Sequence, residues 1–193
     1  LRELSKEKKN FQTFLGLTIS PFNVGEFMKT FFSLREIIEE ILPKDIHVNL
    51  FHSSDHYYLN KVEDSAIYRK KLPDELDLIG SLKGVPSNII MLLEERYLKF
   101  AKKYAKERRT PMSCKVLQTS CFVDPEGNVY PCTIYGKKLG NLREVNFDLK
   151  RILKSKLAVR EMRKILKLKC PNCWTPCEAY QTILGNFIRA VKG

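Results

Sequence analysis

Six cysteines are the residues of this 193-residue chain whose type and spacing point most clearly to chemistry. The first 113 residues contain none, and the last three cysteines form the cluster Cys170-Pro-Asn-Cys173-Trp-Thr-Pro-Cys177. Zinc and iron both take four soft ligands around one point, and a CxxC loop supplies two thiolates from one side. The spacing alone does not separate zinc from an iron–sulfur cluster, although so many thiols exceed the need of one tetrahedral zinc.

A β-hairpin is predicted to bring two further metal ligands to the side of the site that faces the CxxC loop. Asp124-Pro125-Glu126-Gly127 is a tight turn between Phe122-Val123 and Val129-Tyr130. This hairpin can bring Cys114 and Cys132 to face the CxxC loop and so complete a set of four.

The residues around the CxxC loop suit a metal site. Pro171 and Pro176 restrict its backbone, and Trp174 would shield a metal from water, which tunes the potential of a cluster. Cys121, on the first strand of the hairpin, fits a buried core thiol equally well.

The chain shows no sign of export. It opens Leu1-Arg2-Glu3-Leu4-Ser5-Lys6, without the apolar core of a signal peptide. No apolar run approaches the ~18 residues that span a bilayer. We therefore expect reduced thiols in the cytoplasm rather than disulfides. Because the chain opens without Met, in what reads as a helix already under way, we also expect it to be a fragment.

The net charge of +12 raises the question of an acidic partner. Basic residues are mostly interleaved with acidic ones, but denser patches lie at 99–109 and 150–169. Both patches fall on predicted helices, where a solvated lysine-rich face is the simpler interpretation and a binding surface the alternative.

The first half of the chain has the pattern of an α/β fold. Residues 11–20 and 46–51 read as strands, and residues 24–42, preceded by Asn23 as N-cap, read as the helix between them. A strand, a helix and a strand in this order predict a parallel βαβ unit.

The hydrophobic pattern is weak after residue 60 and has helical spacing again from residue 88. Residues 61–85 read as short helices and loops, and 88–109 as one long amphipathic helix. Further helices are predicted at 148–154, 158–166 and 178–191. We place a domain boundary near residue 110, which gives domains 1–110 and 111–193.

The cysteine-rich segment, Cys114 to Cys177, resembles the SPASM/twitch auxiliary-cluster domain of radical S-adenosylmethionine (SAM) enzymes. The matching features are Cys114, the DPEGNVYPC run that ends at Cys132, the GNLRE run at 140–144, and the CxxC of Cys170 and Cys173. The resemblance implies an auxiliary [4Fe–4S] cluster. Its ligands would be Cys114, Cys132 and two of Cys170, Cys173 and Cys177, unless Cys121 joins them.

The same resemblance extends more weakly to the first 110 residues. They are similar to the C-terminal part of a partial (β/α)6 TIM-like barrel, in which ligands bind beyond the carboxyl ends of the strands. Thr18, Ser20 and Asn23 end one strand and His52 ends the next, so they would face a pocket for SAM or substrate. His52, Asp55 and His56 would also suit a metal site.

The chain departs from the radical SAM pattern because the CxxxCxxC loop is absent. The resemblance therefore implies an oxidoreductase or maturase only for a longer protein, which would bind SAM and a second [4Fe–4S] cluster; this chain alone is expected to be inactive. One auxiliary cluster is expected rather than two. A peptide or protein substrate and an electron donor protein are the expected partners, and nucleic acid and membrane are not.

The alternative interpretation is a structural zinc module that is not an enzyme. In it, Cys114, Cys132, Cys170 and Cys173 would bind zinc, and the basic helices would contact nucleic acid.

Overall fold

The computed structural model describes residues 7–8, 13–60 and 65–186. The chain divides into two compact units. Unit 1 comprises Leu1–Phe51 and Asp64–Lys102, and unit 2 comprises His52–Glu63 and Lys103–Gly193. No helix among the described residues has both the length and the apolar character needed to cross a membrane.

Unit 1 contains the βαβ element that the sequence predicts. Strand β1 (Leu15–Ile19) and strand β2 (Ile46–Leu50) pair in parallel, with Leu15 opposite Ile46 and Ile19 opposite Leu50. Helix α1 (Phe27–Ile37) and a short 3-10 helix (Pro43–Asp45) connect them. The described strands and helices make the fold mixed α/β, as expected.

The start of α1 differs from the prediction, because Asn23 is not its N-cap. The Asn23 side chain closes the turn after β1, where its Oδ1 accepts from the N–H (2.7 Å) and the hydroxyl (2.9 Å) of Ser20. The buried Glu75 carboxylate accepts instead from the N–H groups of Gly25 (2.8 Å) and Phe27 (3.0 Å). A distant side chain thus satisfies the free N–H groups that every helix start exposes.

The prediction of short helices and loops in residues 61–85 is wrong for residues 66–83, and residues 61–64 lie outside the described residues. Helix α2 (Ala66–Lys83) is 18 residues long and contains Pro73 in its interior. The Ser65 hydroxyl caps its start by accepting from the Tyr68 N–H at 3.1 Å. The helix buries one face, formed by Tyr68, Leu72, Leu76 and Ile79. This buried face outweighs the proline, which alone disfavours a helix by about 3 kcal/mol.

Helix α3 (Ile89–Glu107) confirms the long predicted helix, and the boundary between the two units falls within it. In unit 1 its Glu94 is buried and ion-paired with Lys83 of α2 at 3.1 Å. Glu94 also accepts from the N–H of Val48 at 3.4 Å. These contacts attach β2 to both helices.

Unit 2 is built on a three-stranded antiparallel sheet. Strands β3 (Phe122–Val123) and β4 (Asn128–Tyr130) form the predicted hairpin, with Gly127 at φ 85° in its turn. Strand β5 (Gly140–Asn141), which the sequence did not predict, pairs with β4.

Helices complete unit 2. A short 3-10 helix (Leu142–Val145) precedes α4 (Leu149–Leu153), α5 (Lys156–Leu166) and α6 (Pro176–Gly185). These three α-helices confirm the predicted ones, although residues 187–191 of the last lie outside the described residues.

Candidate metal centre

Four thiols line one cavity of unit 2. Cys114 and Cys132 come from the segments around the hairpin, and Cys170 and Cys173 from the CxxC loop. The cavity walls are otherwise mostly apolar, with Val116, Ile134 and Ile165 packed in the same cluster as the thiols. The structure thus brings the two halves of the predicted site together.

A backbone N–H group two residues further along the chain lowers the pKa of each of these four thiols. These groups belong to Val116 for Cys114, Ile134 for Cys132, Asn172 for Cys170 and Thr175 for Cys173. A nearby N–H group favours the charged form of a sulfur, so each of them favours a thiolate.

Burial opposes ionisation of the thiols. It raises the pKa of Cys114, Cys170 and Cys173, and it raises the pKa of Cys132 from 9.0 to about 12. The backbone N–H groups lower these values only in part. At neutral pH the thiols are therefore protonated, and a bound metal would have to displace their protons.

The CxxC loop is positioned by Thr110 and Asn172. The Thr110 hydroxyl accepts from the Cys173 N–H at 3.2 Å and donates to the Cys173 carbonyl at 3.1 Å. Asn172 has a φ of 58°, a conformation that asparagine tolerates better than most residues, and its amide donates to the Cys170 carbonyl at 2.9 Å. These bonds define the direction in which both loop thiols point.

The segment after Cys132 is attached to α5. The Tyr135 N–H donates to the Cys132 sulfur at 3.3 Å, and its hydroxyl donates to Glu161 at 2.8 Å. Glu161 is fully buried, and its other carboxylate oxygen pairs with Lys164 at 2.9 Å. Burial and the hydrogen bond to Glu161 raise the pKa of Tyr135 to about 12, so its hydroxyl stays protonated and donating.

His52 and His56 belong to unit 2 and contact the backbone of the cysteine-bearing segments. Nε2 of His52 accepts from the N–H of Trp174 at 3.0 Å, and its ring stacks against Tyr104. Nε2 of His56 lies 3.0 Å from the Cys132 carbonyl, to which it donates. The metal site considered for His52, Asp55 and His56 is not formed, because no such group exists among the described residues.

The remaining cysteines do not line the cavity. Cys121 packs in a second core with Val129 and Leu139, and Cys177 is exposed at the start of α6. None of the six cysteines, all within the described residues, is in a disulfide. Trp174, expected as a shield, is buried but is not part of the lining.

The predicted pocket residues of unit 1 have local partners. Asn23 bonds to Ser20 as described, and its amide donates to the Thr18 carbonyl at 3.0 Å. Ser20 and Asn23 therefore form the turn that leaves β1, Thr18 lies within the end of that strand, and the role of these three residues in binding SAM or substrate stays a prediction.

Sequence reasoning missed Thr110, Tyr135 and Glu178, all of which line the cavity. Glu178 accepts from the Ser120 hydroxyl at 3.0 Å, and burial raises its pKa. In the sequence, only the position of Glu178 next to Cys177 indicated that it could lie at the site. Thr110 and Tyr135 lie far from the CxxC loop in sequence, so no local pattern marks them.

The donor set fits a cysteine-bound cluster in ligand type and number. Within the described ranges, however, no three Cys, His, Asp or Glu side chains gather tightly enough around one point to hold a metal ion. The four thiols thus surround a shared space without forming the close shell of a single ion.

The cavity and the four cysteines that line it make unit 2 a cysteine-rich domain. Residues 114–178 match the family model of the SPASM iron–sulfur cluster-binding domain. The match runs from Cys114 to just beyond Cys177, so the resemblance drawn from the sequence is confirmed over this third of the chain. SPASM domains are found in radical SAM enzymes. Comparisons with curated proteins and with solved structures gave no significant match.

Proposed function

We propose that unit 2 binds one [4Fe–4S] cluster through Cys114, Cys132, Cys170 and Cys173. The observation that carries the proposal is that these four thiols line one shared cavity, among apolar side chains. Cys121 and Cys177 are not proposed as ligands, because the one lies in another core and the other is exposed.

The surroundings of the cavity favour a role in electron transfer. A cluster with four cysteine ligands has no open iron position, so it would supply one-electron transfer rather than substrate binding. The apolar walls and the N–H donors are the features by which a protein sets the reduction potential of such a group. Val116, Ile134 and Ile165 would exclude water from it.

The wider activity is proposed from the SPASM match and the parallel βαβ unit. In a complete protein, this chain would be the auxiliary portion of a cytoplasmic radical SAM enzyme that modifies a peptide or protein and receives electrons from a donor protein. Unit 1 would be the end of a partial (β/α)6 barrel, in which Thr18, Ser20 and Asn23 face SAM or substrate. SAM cleavage and a second cluster are assigned to residues outside this chain, since it holds no CxxxCxxC loop.

Anaerobic purification followed by iron and sulfide analysis tests the cluster. A brown protein with about four irons and four sulfides per chain, bleached by dithionite, is the expected result. The variant Cys121→Ala is the matched control, because it removes a half-buried thiol outside the cavity. A colourless chain without iron after reconstitution would refute the assignment.

A structural zinc site is the second candidate, because four cysteines also make a complete zinc shell. It predicts a colourless protein that keeps one zinc per chain after expression in cells and takes up no iron. Metal analysis of the same preparation decides between the two.

A further inference from the structure

Helix α5 carries a concentrated positive charge on its outward side. Six cations line a surface pocket there, formed by the helix and the residues that follow it: Lys156, Arg160, Arg163, Lys164, Lys167 and Lys169. We call this set the basic pocket. Val159 is the one apolar residue of its lining, and the pocket, which is open to solvent, has a volume of about 500 Å³.

The charge of the basic pocket is not balanced within the described residues. Glu161, the only acid on α5, is fully buried, and it pairs with Arg160 and Lys164. Lys156, Arg163, Lys167 and Lys169 have no carboxylate partner in the described part of the chain. Helix α3, by contrast, interleaves its bases with Glu94, Glu95 and Glu107.

Like charges at helical spacing destabilise a helix unless an anion joins them. Lys156, Arg160 and Lys164 follow one another at i,i+4, as do Arg163 and Lys167, and each like-charged pair costs about 0.2–0.5 kcal/mol. Glu161 offsets this cost only for Arg160 and Lys164. In a helix face that only contacts water, this repulsion lowers helix stability without any compensating interaction. A negatively charged partner bound to the face would offset the repulsion.

The shape and lining of the pocket select the kind of anion. Single-stranded nucleic acids bind on aromatic platforms, and the basic pocket has no aromatic residue in its lining. Its cations are confined to α5, which is ~16 Å long, and to the residues just after it. Arg160 and Arg163 offer forked donors that match carboxylates.

We propose that the basic pocket docks an Asp/Glu-rich segment of a protein partner. The opposite side of the same helix places Ile165 in the wall of the four-cysteine cavity, so the partner would dock close to that cavity. The proposal concerns a surface outside the cavity and does not depend on which metal the thiols bind.

Fluorescence anisotropy with the full chain tests the docking. The probe is a labelled peptide of about eight glutamates, longer when extended than α5. The double variant Arg163→Glu/Lys167→Glu should bind it at least about tenfold more weakly than the unaltered chain. The matched control, Lys103→Glu/Lys106→Glu on α3, changes the net charge equally at exposed positions and should bind like the unaltered chain.

Three results would overturn the proposal. One is the absence of peptide binding even at ~50 mM salt, where charge attraction is strongest. Another is equal weakening in both double variants, which would make the attraction a property of net charge alone. The third is tighter binding of a single-stranded oligonucleotide of equal charge that is lost only in the pocket variant. Far-UV circular dichroism on both double variants shows whether they fold. The neutral variant Arg163→Gln/Lys167→Gln removes the two charges without reversing them, so weaker peptide binding by this variant in a folded chain is due to lost docking.

Discussion

The backbone N–H of Trp174 donates to Nε2 of His52 at 3.0 Å, directly after the ligand-bearing loop ends at Cys173. Four residues after His52, His56 donates from its own Nε2 to the carbonyl of Cys132, also at 3.0 Å. One short segment therefore contacts the backbone of both cysteine-bearing segments. The two histidines, considered from the sequence as pocket or metal residues, connect the two halves of the candidate site.

Removal of either histidine should lower the stability of unit 2 and the amount of iron that the candidate site binds. His52→Ala leaves the Trp174 N–H without its partner and His56→Ala leaves the Cys132 carbonyl without one, which costs about 1–3 kcal/mol for a buried group. We expect a lower melting temperature and less iron per chain after reconstitution. Asp55→Ala, at an exposed position between them, should leave both quantities unchanged. Histidine variants that melt and load like Asp55→Ala would show that these hydrogen bonds do not position the thiols.

Alanine variants at all six cysteines should separate ligands from bystanders. Each variant that removes one of the four proposed ligands should bind less than about half the iron of the unaltered chain. These variants are Cys114→Ala, Cys132→Ala, Cys170→Ala and Cys173→Ala. Cys121→Ala and Cys177→Ala should retain the iron. Iron analysis and visible spectra of the six proteins give the answer, and loss of iron in Cys177→Ala would revise the ligand set.

The metal-free protein should lose stability in alkali through Cys132. Burial raises the pKa of this thiol from 9.0 to about 12, so the unfolded chain loses the proton first. The thiol's contribution is therefore fully present below about pH 9 and disappears as the pH rises toward about 12. Urea unfolding across this range should show a shallower decline for Cys132→Ser, whose hydroxyl does not titrate there. Parallel declines in the two proteins would contradict the assignment.

Tyr135 and Glu161 should stabilise unit 2 as a pair. Tyr135→Phe removes the hydroxyl that donates to a fully buried carboxylate oxygen, and the loss of such a partner costs about 1–3 kcal/mol. The free energy of unfolding in urea measures the effect. Tyr57→Phe is the matched control, because Tyr57 is 47% exposed. A difference of less than about 0.5 kcal/mol between the two variants would show that the pair is dispensable.

Glu75 should protect the start of α1. Glu75→Ala exposes the N–H groups of Gly25 and Phe27, and the loss of a helix cap costs about 0.5–2 kcal/mol. Amide hydrogen exchange at these two residues should become faster, while the exposed neighbour variant Asp74→Ala should leave it unchanged. Unchanged exchange in Glu75→Ala would mean that another group caps the helix.

The amino-acid sequence by itself determined those features whose causes are local. The alternation and turn residues at 122–130 specify the hairpin, and the apolar runs at 11–20 and 46–51 with the helix between them specify the parallel βαβ unit. The spacing of the cysteines was enough to predict a metal-binding domain, because a CxxC turn places its thiols side by side whatever surrounds it.

Only the tertiary structure decided what depends on residues far apart in the chain. It placed Cys114, Cys132, Cys170 and Cys173 around one cavity and left the other two cysteines outside it. It also showed that the N–H groups at the start of α1 are capped by Glu75, some fifty residues away in sequence, and not by the predicted neighbour Asn23. The physical reason is that a buried thiol or carboxylate finds its partners through packing, and packing depends on the whole fold rather than on neighbouring residues.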